Sequence, residues 1–201
     1  MAIVELLVAS DRSPSEIAAT LGIESNLMAH HVKVLKAEGL VREVVSSGDR
    51  RRRYLQLEGY ALALPTERAT ITAGTVLFVC TQNSARSQLA AAIFAQAAKK
   101  PASSAGTHPA DRVHPLAVAI AREHGLDLEL ARPRALADVD VNADLVVTVC
   151  DQANEALRGL QAPRLHWSIP DPAVTNTRDA FERAYLSLEH RIGMLAGTRA
   201  P

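Results

Sequence analysis

Cysteine is scarce in this chain. Only Cys80 and Cys150 occur in 201 residues. Two thiols cannot build the disulfide framework of a small secreted protein, so a reducing cytoplasm is the expected setting. Aromatic residues make up only 3%, which leaves few rings to sandwich a phenyl group. No apolar run reaches the roughly 20 residues of a membrane-spanning helix, and a membrane is not an expected partner. The apolar start, MAIVELLVASDRS, has neither a basic leader nor a small-residue cleavage site, and does not read as a signal peptide. Net charge is also lacking, because 22 Lys and Arg offset 22 Asp and Glu. Hydrophobic residues nevertheless reach 48%, enough for packed cores and against disorder.

The zero total hides an asymmetry. Within residues 1–58 the basic charge is concentrated in SSGDRRRRYLQL. Residues 59–73, beginning GYALALPTERA, have a Pro and no clear period and read as a linker. From residue 74 to 201, strand-like apolar runs alternate with helix-like segments, the pattern of an α/β domain. No internal repeat is visible.

In the first segment, PSEIAATLG opens with Ser13 as N-cap and Pro14 at the first helical position, and closes at Gly22. A second helix follows in SNLMAHHVKVLKAEG, with Ser25 as its expected cap. Met28, Val32 and Leu35 fall at helical spacing on one face, and Gly39 stops the helix. LVREVVSSGDRRRRYLQL then alternates into and out of a turn at Ser47-Gly48-Asp49, a hairpin signal. Helix, turn, helix and hairpin make a winged helix-turn-helix. His30 and His31 are adjacent on a helix and do not converge on one point, so no metal site is expected.

In the second segment the chemistry concentrates in VLFVCTQNSARSQLAAAIF. Val76 to Val79 read as a buried parallel strand, and the Ala-rich run after Arg86 reads as a helix. The polar loop between them lies at a helix N-terminus, where backbone amides and the helix dipole attract anions. Arg86 offers a bidentate fork for a tetrahedral oxyanion. The same field favours the thiolate of Cys80 and positions it for in-line attack on the bound central atom.

Two resemblances follow from these motifs. MAHHVKVLKAEGLV with its basic wing resembles the ArsR-type bacterial regulators over about the first 57 residues. That resemblance implies double-stranded DNA as a partner, with Ser25, Asn26, His30 and Lys33 facing the major groove and Arg50, Arg51, Arg52 and Arg53 on phosphates or in the minor groove. A solvated wing, or a protein-binding or dimerisation module, is the alternative. A homodimer is one expected assembly, as in that family, although the first helix here is short. No Cys occurs in this segment, so the paired-thiolate arsenic sensor of many ArsR-type regulators is excluded.

The Cys-x5-Arg-Ser loop after a first strand resembles the low-molecular-weight protein-tyrosine-phosphatase fold, from about Thr75 to the end. SSAGT (Ser104 to Thr107), DLVVTVC (Asp144 to Cys150) and PDPA (Pro170 to Ala173) match its later strands and acid loop. The expected architecture is a four-stranded doubly wound parallel sheet preceded by the small winged domain. The resemblance implies Cys80 as nucleophile, Arg86 as oxyanion clamp, Ser87 as hydrogen-bond partner of the thiolate and Asp171 as general acid. Thr81, Gln82, Asn83, Ser84 and Ala85 form the oxyanion-binding loop, with Asn83 bracing it.

Two chemistries share that fold: phosphate-ester hydrolysis and arsenate reduction. HWSIPDPA is closer to the arsenate-reductase form of the acid loop, and Cys150 stands where thioredoxin-linked arsenate reductases have a second cysteine. The third cysteine of those enzymes falls at Leu157, and the extra one some carry in the loop falls at Ala85, so their intramolecular relay is incomplete here. Cys150 is therefore either a second thiol or a small buried residue. The expected activity is arsenate reduction on an arsenate or phosphate-like oxyanion, without a tightly bound cofactor. The co-substrate is an external thiol: mycothiol with a mycoredoxin, or thioredoxin. An aryl or protein-tyrosine phosphatase is the rival enzyme, and a non-catalytic oxyanion-sensing transcription regulator the rival of another class.

Overall fold

A computed structural model of the chain describes residues 2–58, 74–139 and 143–196. The chain divides into two compact units, Met1–Ala69 and Thr70–Pro201. The segment expected to be a linker, 59–73, lies outside the described residues.

The first unit contains three helices, α1 (Ala2–Ala9), α2 (Pro14–Leu21) and α3 (Ser25–Ala37), then an antiparallel pair, β1 (Val41–Val45) and β2 (Arg53–Leu57). Helix α2 begins as its sequence requires. The Ser13 side chain accepts from Glu16 N, the Glu16 carboxylate accepts from Ser13 N at 2.7 Å, and Pro14 fills the first turn. Gly22 ends the helix in the left-handed region (φ 64°). The start of α3 corrects the expectation for Ser25. The N-cap is Glu24, whose extended backbone (ψ 149°) lets its carbonyl accept from Met28 N at 2.9 Å. Ser25 is already inside the first turn and caps nothing. Met28 and Val32 are buried and Leu35 partly so, and they close the core with Ile3, Val4, Leu7, Ile17, Val41 and Leu55.

The second unit is a four-stranded parallel sheet in the order β4-β3-β5-β6. Its strands are β3 (Val76–Cys80), β4 (Ala102–Gly106), β5 (Leu145–Thr148) and β6 (Arg164–His166). The helices are α4 (Arg86–Ala98), α5 (Pro115–Glu123), α6 (Asp151–Ala156), α7 (Pro172–Thr175) and α8 (Arg178–Ala196). Every residue of β3 is buried, as an unbroken apolar run demands. Helix α4 packs along β3, β4 and α8. The chain leaves β3 to build β4 on one side and β5 on the other. The C-terminal end of β3 is thus the switch point of the sheet, where open α/β folds bind ligands. Cys80 is the last residue of that strand.

Candidate active site

The loop from Thr81 to Ala85 is shaped by where its carbonyls go. Thr81 O accepts from His108 N at 2.8 Å and Gln82 O from Ala110 N at 2.9 Å. Asn83 O accepts from the Gln88 side chain at 3.2 Å and Ser84 O from His114 N at 2.8 Å. A trans peptide points its N–H opposite to its C=O. With four successive carbonyls tied outward, the amides of Gln82, Asn83, Ser84 and Ala85 turn inward. Asn83 N demonstrates this, donating to Cys80 Sγ at 3.1 Å. Helix α4 starts directly behind the loop and adds the positive end of its dipole.

The sulfur of Cys80 is buried and meets two further groups of the site. Ser87 Oγ lies 3.1 Å away, and Asn83 Nδ2 donates to Ser87 Oγ at 2.8 Å. Asn83 adopts φ 49°, the left-handed conformation that Asn tolerates better than most residues. Its Oδ1 accepts from Arg134 N at 2.8 Å. Gly106, level with Cys80 on β4, leaves room for this loop. A β-carbon there would stand 2.7 Å from Thr81 O and 3.1 Å from Asn83 N.

Arg86 is almost fully buried. One terminal nitrogen donates to Ile169 O at 2.9 Å and the other to Asp171 Oδ2 at 2.7 Å. Asp171 also caps α7, its Oδ1 accepting from Ala173 N at 3.1 Å. The acid loop is anchored by Trp167, buried against Phe78 with ring centroids 6.1 Å apart. Tyr185 stacks on His124. All six described Phe, Tyr and Trp side chains are buried, so none of them is displayed to a bound ring.

Cys150 sits at the cap of α6 as a free, buried thiol. Its sulfur lies 3.4 Å from Thr81 Oγ1, and Thr81 Oγ1 also donates to Gln152 Oε1 at 2.9 Å. Burial pushes the Cys150 thiol above the ordinary cysteine range. Arg86 pulls it down, and the charge of Cys80 pushes it up again. Cys80, Thr81, Asn83, Arg86, Ser87, Asp171 and Cys150 are thus brought into one connected cluster. Gln88, Gly106 and the backbone of Arg134 belong to it as well, and sequence reasoning missed all three. A helical Gln and a strand Gly carry no local signal of what they touch. SAGT and SQLAAA could have marked them only through the spacing to the loop.

In the first unit, Ser25, Asn26, His30 and Lys33 are all exposed on α3. Arg50, Arg51 and Arg53 are exposed at the hairpin turn. Arg52 is not displayed with them. Its guanidinium turns back, 3.3 Å from Tyr54 OH and 4.0 Å from Glu16. An apolar groove of about 550 Å³ lies between α2 and α3, floored by Met28 and Val32 and edged by Lys33 and Lys36.

A family model described as low molecular weight phosphotyrosine protein phosphatase matches residues 75–199. An arsenate reductase of Bacillus cereus (strain 03BB102) is 34% identical over 124 residues, covering 59% of this chain and 90% of the relative. An arsenate reductase of Bacillus licheniformis is 37% identical over 139 residues, covering 62% of this chain and 96% of the relative. The crystal structure of arsenate reductase from Archaeoglobus fulgidus DSM 4304 superposes with a TM-score of 0.56 at 34% identity, over 61% of this chain and 98% of that one. A tyrosine phosphatase of Erwinia amylovora shares the fold at 23% identity and a TM-score of 0.55.

Proposed function

This chain belongs to the low molecular weight phosphotyrosine protein phosphatase family, and from that premise we propose that its second unit is a thiol-dependent arsenate reductase. Relatives above 30% identity that the chain spans almost end to end carry that activity. One observation favours arsenate over an aryl phosphate: every described Phe, Tyr and Trp ring is buried, so none of them can clamp a phenyl group.

In this reading the inward amides of the loop and the Arg86 fork hold the oxyanion. The Cys80 thiolate attacks arsenic(V) in line. A sulfur–arsenic bond forms, an arsenic–oxygen bond breaks, and Asp171 protonates the departing oxygen. Ser87 and Asn83 N stabilise the sulfur when it carries charge again. An external thiolate then attacks Cys80 sulfur. A mixed disulfide forms, and the sulfur–arsenic pair of electrons stays on arsenic, which leaves as arsenite. The two thiols supply the two electrons, and a redoxin of the mycoredoxin or thioredoxin type resets the disulfide. Cys150 is the runner-up attacker. Its burial and raised thiol disfavour that role, and the relay position 157 is Leu. The test is arsenite release with each thiol system supplied in turn. Steady hydrolysis of an aryl phosphate without arsenite would instead mark a phosphatase, and oxyanion binding without turnover a sensor.

For the first unit we propose a winged helix-turn-helix that binds double-stranded DNA. The order of three helices and a hairpin supports this, as do the exposed polar face of α3 and the exposed Arg50, Arg51 and Arg53. The test is binding to DNA across a salt series. A full chain with no salt-sensitive affinity would point to a dimerisation or protein-binding module.

A further inference from the structure

We propose that Gln88 is a positioning residue for Cys80: its side-chain amide holds Asn83 in place and so sets the direction of the hydrogen-bond chain that ends on the nucleophilic sulfur. The inference rests on Cys80 being the nucleophile, but not on whether arsenic or phosphorus is attacked.

Gln88 lies on the buried side of the first turn of α4. Its Nε2 faces three oxygens: Asn83 O at 3.2 Å, Asn83 Oδ1 at 3.1 Å and Arg132 O at 3.1 Å. Two of the three are backbone carbonyls, which only accept, so the NH2 end of the amide must point there. Asn83 Oδ1 also faces Arg134 N, which only donates. The Asn83 side chain is therefore orientated with its oxygen toward Gln88 and Arg134 and its NH2 toward Ser87. That NH2 donates to Ser87 Oγ at 2.8 Å. With Ser87 Oγ accepting from Asn83, its own hydrogen is free to turn to Cys80 Sγ, 3.1 Å away, and must do so when the sulfur is a thiolate, which only accepts. The thiolate then receives two hydrogen bonds, from Asn83 N and from Ser87; Gln88 grips Asn83 directly and reaches Ser87 through the Asn83 side chain.

The backbone gives Gln88 a second lever. Asn83 is in the left-handed region, a conformation that a non-Gly residue keeps only where its surroundings hold it. Gln88 grips the carbonyl of that same residue, and tying this carbonyl outward turns the amide of Ser84 into the anion cradle. One side chain therefore supports both the nucleophile and the ligand-binding amides, without touching either.

The test is a double-mutant cycle on the full chain, read by the rate at which iodoacetamide alkylates Cys80 at neutral pH, with inorganic phosphate as protecting ligand. Gln88→Met keeps the length and removes the donor. It should slow alkylation about three- to tenfold, the size of one or so net hydrogen bonds, and weaken phosphate protection. Gln88→Glu, which sets a carboxylate against three oxygens, should slow it further. In a Ser87→Ala background the Gln88→Met effect on alkylation should largely vanish, because the chain is already cut. A full-size effect persisting in Ser87→Ala would overturn the proposal. So would a lowered melting temperature with alkylation and phosphate protection unchanged in both Gln88 variants. If phosphate fails to protect Cys80 in the unaltered protein, the reading of the site itself falls, an outcome distinct from either.

Discussion

Arg86 and Asp171 hold each other at 2.7 Å. On the function proposed above, this pairs the guanidinium that would hold the oxyanion with the carboxylate that would protonate the leaving oxygen. An arriving anion would then compete with Asp171 for the Arg86 fork, so that binding and release of the acid would be coupled.

Asp171→Asn separates the two roles. The amide leaves Arg86 uncommitted but supplies no acid. Phosphate, as a competitive inhibitor, should bind as tightly as before or tighter, while kcat falls about 10²- to 10⁴-fold, the usual worth of a general acid. Arg86→Lys should do the reverse to binding, since a point charge cannot replace the fork. Inhibition constants and turnover on the same preparations check both.

Cys150 offers a pH test. Its thiol is pushed up mainly by burial, so as pH rises through the free-thiol value of about 8.5 it stays protonated and unreactive. Alkylation mapped by mass spectrometry should label Cys80 first and Cys150 only at higher pH. Cys150→Ala should leave arsenate reduction by an external thiol nearly intact. After one turnover the expected species is the small thiol bonded to Cys80. A Cys80–Cys150 disulfide as sole product would show the internal route instead.

Gly106→Ala forces a methyl against Thr81 O at 2.7 Å and Asn83 N at 3.1 Å, both backbone atoms. The loop has to move, at a cost of about 1–3 kcal/mol. The expected result is a lower melting temperature together with weaker phosphate protection of Cys80. Unchanged protection would mean the loop tolerates the shift.

Arg51→Ala and Arg52→Ala should behave differently although the residues are neighbours. Arg51 is exposed, with only the turn's own Asp49 beside it. If it meets a DNA phosphate, its loss should reduce the salt slope of binding by roughly 0.9. Arg52 braces Tyr54 and Glu16, so its loss should lower the stability of the first unit more than it changes that slope.

The strand–loop–helix unit that carries Cys80 and Arg86 was legible in the sequence because it is local. A buried strand, a five-residue polar loop and a helix follow one another in the chain, although the backbone donors that tie the loop's carbonyls outward come from residues 108–114. The capping box at Ser13 was readable for the same reason. What escaped depends on distant partners. Gly106 matters through Thr81 and Asn83, contacts that exist only once β4 lies beside β3, and Gln88 is held in place by the remote carbonyl of Arg132 as well as by Asn83. Arg52 reads as one of four equal arginines until the hairpin twists it toward Tyr54 and Glu16. Ser25 reads as a cap, but the helix starts one residue earlier because the chain leaving Gly22 is already extended at Glu24.

On the function proposed above, the outward-tied carbonyls of Thr81 to Ser84 leave inward amides that would recognise the charge and shape of a tetrahedral XO₄ ion. Phosphate and arsenate satisfy such amides almost equally. Affinity therefore cannot be the filter in a cell where phosphate is plentiful. Discrimination must come after capture, when a thiol arrives: arsenic(V) can accept its two electrons and depart as arsenite, whereas phosphorus(V) cannot and returns to solution unchanged. In such an enzyme the abundant ion is a standing competitor, and selectivity is written in redox chemistry rather than in fit.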